Sequence, residues 1–173
     1  FTIDRDTFLK SLSHAYGIIE KKTTLPILSN ILIEATESLI KITATDLDII
    51  YSEEITAQEM KKEGSTTTSA SILYDILRKL EPNSKVELLI QDSNKLRLIS
   101  GNSKFNLLCI SSDNFPLSDE DIKKKTFEVS SKKMLKLLNK TKISISNDET
   151  RHYLNGIYLH KINIENKSFL SSV

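Results

Sequence analysis

The chain has 173 residues, with 24 Lys+Arg against 23 Asp+Glu, for a formal charge of +1. That length accommodates one sizeable domain, or one domain and part of another, and it can bury a core without staples. Cys109 is the only cysteine, which excludes an intrachain disulfide and a Cys-based zinc site, and His14, His152 and His160 are far apart. Four Gly leave no glycine-rich phosphate loop. No apolar run reaches the roughly 18–20 residues of a membrane span. The N-terminus has no basic and apolar leader, so a cytoplasmic protein is expected. The missing initial Met suggests that a few leading residues are absent.

In chain order, a β-branched residue and a capping residue open an amphipathic helix three times. Ile3-Asp4 precedes a helix with Leu9, Leu12 and Tyr16 on one face, and Gly17 stands at its end. Residues 28–35, 39–45 and 49–55 then read as strands by apolar runs or alternation. Thr68-Ser69 opens a second helix, with Leu73, Ile76, Leu77 and Leu80 on one face and Pro82 beyond it. Residues 86–90, 96–100 and 104–110 read as strands, with turns at 91–94 and 101–103. Val129-Ser130 opens a third helix carrying Met134, Leu137 and Leu138, and residues 153–161 and 162–173 look strand-like.

The pattern is therefore a repeated β-α-β-β-β unit in an α+β fold, present twice and then begun a third time. Two units make one domain, with helices on one side and sheets on the other. The composition shift at residues 111–125 reads as a connector, which divides the chain into 1–122 and an incomplete 123–173. A fragment of a longer chain is expected.

Charge is uneven. Residues 34–59 hold seven acids and one Lys, net −6, whereas residues 123–142 hold eight Lys and one Glu, net +7. Lys132, Lys136 and Lys140 recur at i, i+4 and i+8, so they form one stripe opposite Met134, Leu137 and Leu138. Lys10, His14, Gly17 and Lys21 form a similar stripe on the first helix. Arg78 and Lys79 end the second. A solvated helix face explains any one stripe as well as an anion-binding face does.

Five strings carry a resemblance. Thr24-Leu25-Pro26-Ile27-Leu28-Ser29-Asn30, Thr43-Ala44-Thr45-Asp46-Leu47-Asp48, Asn114-Phe115-Pro116, Asp148-Glu149-Thr150-Arg151 and Tyr153-Leu154-Asn155-Gly156 occur in order. Together they resemble the bacterial sliding clamps, the beta subunits of DNA polymerase III, over the N-terminal domain and the first half of the middle domain. The resemblance implies a processivity factor that encircles duplex DNA as a head-to-tail homodimer, with helices lining the hole and antiparallel sheets outside. It implies no catalytic site, cofactor or metal, and no membrane. Its partners would be DNA polymerase III, other clamp-binding proteins and a clamp loader. Lys10, Lys21, Lys22, Arg78, Lys132, Lys136 and Lys140 would contact DNA phosphates without base readout. Phe105 and Leu107 fall on positions that pack against the other subunit, although both could instead face the domain's own core. Leu154 matches a residue lining the partner pocket.

Two other classes remain open on residues alone. One is a scaffold of the same fold that binds no nucleic acid. The other is a small metal-dependent enzyme using Asp46 and Asp48, against which stands the preference of Asp for tight turns. Cys109 with His14 is a poor nucleophile–base candidate, because Cys109 sits in an apolar strand.

Overall fold

The structure, a computed structural model, describes residues 1–19, 24–92, 94–117, 128–148, 150–165 and 167–173. The chain divides into two units, Phe1–Asp119 and Glu120–Val173.

In the first unit the elements run β1 (Thr2–Asp4), α1 (Arg5–Tyr16), β2 (Asn30–Thr36), β3 (Leu39–Thr45), β4 (Ile50–Thr56), β5 (Gly64–Ser69), α2 (Ala70–Lys79), β6 (Lys85–Asp92), β7 (Lys95–Ser100) and β8 (Ser103–Ile110). The repeated β-α-β-β-β order is thus observed, and the fold is α+β. Asp4 caps α1 by accepting from Thr7 N at 2.9 Å, and Gly17 follows its last turn. Ser69 caps α2 by accepting from Ile72 N. Residues 28 and 29, expected in a strand, instead belong to a 3₁₀ turn, Pro26–Ser29, because Pro26 fixes φ at the first position and donates no hydrogen bond.

Eight antiparallel strands stand in the order β1-β6-β7-β8-β5-β2-β3-β4. The first strand of each repeat pairs with the second strand of the other: β1 with β6 through Ile3↔Val86, and β5 with β2 through Leu32↔Thr67. Neither repeat completes its sheet alone. The segment after β4 also returns to β1, where Thr2 N donates to Glu59 O and Gln58 N to Thr2 O, each at 2.8 Å.

Both helices turn their apolar faces inward. Phe8, Leu12 and Ala15 of α1 and Leu73 and Leu77 of α2 are fully buried with Ile40, Ile42, Val86 and Leu98. Each large side chain contributes about 1.5–3 kcal/mol by leaving water. Where α1 and α2 meet, the Tyr16 and Tyr74 rings stack at 4.9 Å.

The second unit holds α3 (Ser131–Thr141), β9 (Leu159–Ile164) and β10 (Lys167–Ser172), the strands forming an antiparallel hairpin with Phe169 opposite Ile162. Ser130 makes no side-chain cap bond, unlike its two counterparts. Residues 153 and 154, expected in a strand, belong instead to a 3₁₀ turn, His152–Leu154, that follows the Asp148-centred loop. No helix among the described residues is long and apolar enough to cross a membrane.

Candidate nucleic-acid interface

A lysine on the outer face of a helix is held by the burial of the opposite face. On α1, Phe8, Leu12 and Ala15 anchor the helix, which leaves Lys10 exposed. On α3, Met134, Leu137 and Leu138 are half-buried while Lys132, Lys136 and Lys140 are exposed along one stripe. No ion pair among the described residues involves any of these four lysines, so their charge stays available. Flexible ammonium groups in a row neutralise phosphates as point charges and impose no base geometry.

The other expected contacts fare differently. Arg78 is exposed at the end of α2, but it lies 3.6 Å from Asp75, which tempers its charge. Lys21 and Lys22 lie outside the described residues. His14, in the first-helix stripe, is turned toward β4: its Nδ1 is 3.3 Å from Glu53 Oε2 and 3.3 Å from the Tyr51 hydroxyl. Tyr51 donates to Glu53 Oε2 at 2.6 Å. That bond is the main reason the Glu53 carboxyl is held below its ordinary range. Burial, reinforced by Glu53, pushes the Tyr51 phenol up to about 12. Lys10 and Arg78 share the first unit, on helices that pack together; the α3 lysines belong to the second.

Of the two residues expected at a subunit contact, Leu107 is only 4% exposed and belongs to the unit's own core. Its side chain is therefore committed inward. Phe105 is half-buried and lines a cavity of about 340 Å³ with Ile72, Ile76 and Leu80 of α2. Those three recur at i, i+4 and i+8; the sequence places Ile76 and Leu80 on the core face of the helix, and Ile72 extends that stripe outward. Leu108, on the opposite face of β8, is 80% exposed. β8 pairs with β7 along its length, whereas it meets β5 only at Cys109 and Ile110. The Thr68 hydroxyl also donates to Leu108 O at 3.0 Å, so among the described residues Ser103–Leu107 is the stretch of β8 without a strand partner on that side. Leu154 is 41% exposed within its 3₁₀ turn.

The other candidate chemistries do not assemble. Asp46 Oδ1 accepts from Asp48 N at 3.1 Å and Ile49 N at 2.7 Å, so that carboxylate closes the β3–β4 turn. Burial pushes the Cys109 thiol up, away from the thiolate form. Among the described residues no three His, Cys, Asp or Glu side chains cluster as metal ligands would.

Residues 1–119 match the sequence model of the DNA polymerase III beta subunit, N-terminal domain. The chain is 37% identical over 173 residues to a beta sliding clamp of Caulobacter vibrioides, covering 99% of this chain and 46% of that protein. It is 35% identical over 170 residues to a beta sliding clamp of Rickettsia felis, covering 98% and 44%. A crystal structure of the Caulobacter crescentus beta sliding clamp superposes with a TM-score of 0.92 at 36% identity, over 99% of this chain and 46% of that one. The chain spans less than half the length of these relatives.

Proposed function

The chain belongs to the DNA polymerase III beta subunit family, and on that premise we propose that it forms part of a sliding clamp, a non-catalytic processivity factor that encircles duplex DNA. Residues 1–122 would be the clamp's N-terminal domain, and residues 123–173 the first half of its middle domain. Lys10, Lys132, Lys136 and Lys140 face DNA phosphates, with Arg78, Lys21 and Lys22 as further contacts. The observation that carries this reading is that on α1 and on α3, each within its own unit, lysines are exposed opposite a buried or half-buried apolar face and form no ion pair among the described residues. A ring holds DNA by topology, so weak, sequence-independent contacts are sufficient.

The head-to-tail subunit contact would use the Phe105–Ile72–Ile76 cavity and the open β8 edge, with Leu107 supporting Phe105 from the core. Leu154 would line the pocket that captures DNA polymerase III and other clamp-binding proteins, and a clamp loader would open the ring. Full-length protein carrying Lys132→Ala, Lys136→Ala and Lys140→Ala tests the DNA face. Its log K against log salt slope on duplex DNA should flatten by roughly one unit per lost phosphate contact, equally on every sequence. An unchanged slope removes α3 from the DNA face.

A further inference from the structure

Three side chains able to ligate a metal converge where α1 meets β4. His14 Nδ1 lies 3.3 Å from Glu53 Oε2 and 3.3 Å from the Tyr51 hydroxyl, and that hydroxyl lies 2.6 Å from Glu53 Oε2. Tyr51 and Glu53 share one face of β4 because side chains alternate along a strand. Leu12 and Ala15, both fully buried, fix the turn of α1 that carries His14. Zinc takes nitrogen and oxygen ligands at about 2.0–2.1 Å in a tetrahedron, which sets two ligand atoms about 3.3–3.4 Å apart. Two of the three separations already have that length. The third is a hydrogen bond and opens by about 0.7 Å once its proton leaves.

The charges at the cluster favour a cation. Glu53 is the charged group acting on Tyr51, and His14 the one acting on Glu53. An imidazole ligates only when neutral, and beside the Glu53 carboxylate it leaves the cluster net negative. Lys10, one turn earlier on α1, is exposed to solvent. We propose that His14 Nδ1, Glu53 Oε2 and the Tyr51 oxygen bind a divalent cation of the zinc class, with solvent in the fourth position, clipping α1 to the edge strand β4. The Tyr51 proton passes to solvent on binding, because a cation between the two oxygens reverses the preference that holds it. This site does not depend on the proposed DNA contacts.

The test is calorimetric titration of ZnCl₂ into the full-length protein near neutral pH, in two buffers of different ionisation enthalpy. His14→Gln, Glu53→Gln and Tyr51→Phe should each weaken one Zn²⁺ site by at least roughly tenfold, since even an outer-shell partner costs that much. The parent should release one proton more per Zn²⁺ than Tyr51→Phe does, which separates ligation by the phenol from its hydrogen bond. Mg²⁺ at equal concentration should not compete, because a site with an imidazole suits softer cations. If Glu53→Gln does not fold, the exposed His14→Gln decides together with Tyr51→Phe. Absence of Zn²⁺ binding, binding indifferent to His14→Gln, equal proton release from the parent and Tyr51→Phe, or displacement by Mg²⁺ would overturn the assignment.

Discussion

Arg5 donates from Nε to the backbone oxygen of Leu77 at 2.7 Å, across 72 residues of sequence. Its NH2 group donates to Arg78 O at 2.9 Å. The last carbonyls of a helix lack full i+4 partners; Leu77 O accepts a cap bond from Leu80 N at 3.3 Å, and a buried guanidinium from the first turn of α1 adds a charged donor to it and to Arg78 O. Asp6 completes the tie: it pairs with Arg5 and accepts from Asn83 N at 2.7 Å. The two repeats are thus fastened at the helices as well as by their exchanged strands.

Arg5→Ala should therefore destabilise the first unit by about 2–3 kcal/mol, because one buried and one partly buried acceptor lose a charged donor. Arg5→Lys should recover only part of this, since an ammonium cannot reproduce the guanidinium fork. Urea denaturation checks both. An Ala variant as stable as the parent would show that the carbonyls find water instead.

The Tyr51–Glu53 pair makes stability depend on pH at both extremes. Glu53 has a depressed pKa, so its contribution is present above the unfolded carboxyl pKa of about 4.3 and is lost as pH falls through the folded value. Tyr51 has a raised pKa, so its contribution is present below about 10 and is lost as pH rises toward 12. Tyr51→Phe should move the Glu53 titration back up toward the ordinary range, measured by carbon-detected NMR. A Glu53 titration unmoved by Tyr51→Phe would assign the shift to another group.

Leu47 lies at φ 81°, a left-handed conformation unfavourable for a branched side chain, and it is 57% exposed. Its turn is closed by Asp46. Leu47→Asn should stabilise the chain by about 1 kcal/mol by relieving that strain, and Asp46→Ala should cost about 1 kcal/mol through the two lost backbone bonds. Thermal unfolding with and without added Mg²⁺ checks the same turn. A shift that depends on Asp46 and Mg²⁺ would revive the metal-site reading.

Much of the fold is legible because capping residues, helical periodicity and strand alternation coincide at Asp4, Ser69 and the strands after them. The strings that resemble the clamp family turn out to hold backbone together. Asn30 donates to Thr67 Oγ1 at 3.0 Å, and Thr67 in turn donates to Ile110 O at 2.8 Å, which links β2, β5 and β8. Leu28 and Phe115 are buried. Strand exchange between repeats is not legible, since alternation states which face is buried and not which strand lies alongside. The same lack of pairing information hides which apolar residues of 104–110 turn inward: Leu107 does, and Leu108 does not. At Ser130 the motif is present without its bond, and at Tyr153-Leu154 a short apolar pair is compatible with strand or turn.

The two residues of the expected subunit contact separate in their consequences. Leu107→Ala should destabilise the first unit by about 2–5 kcal/mol, as a core truncation does. Phe105→Ala with Ile72→Ala should leave the unit folded and loosen the proposed full-length dimer, seen by sedimentation at micromolar concentration. A dimer as tight as the parent would remove this cavity from the interface.

The most direct measurement of the central claim is retention on DNA. Full-length protein, loaded by the clamp loader proposed for it onto nicked circular duplex, is followed through gel filtration at high salt, before and after the circle is cut. The proposed ring stays with circular DNA of any sequence and is lost once an end is opened, since charge contacts alone do not survive the salt. Equal retention on circular and linear DNA, or none on either, would contradict it.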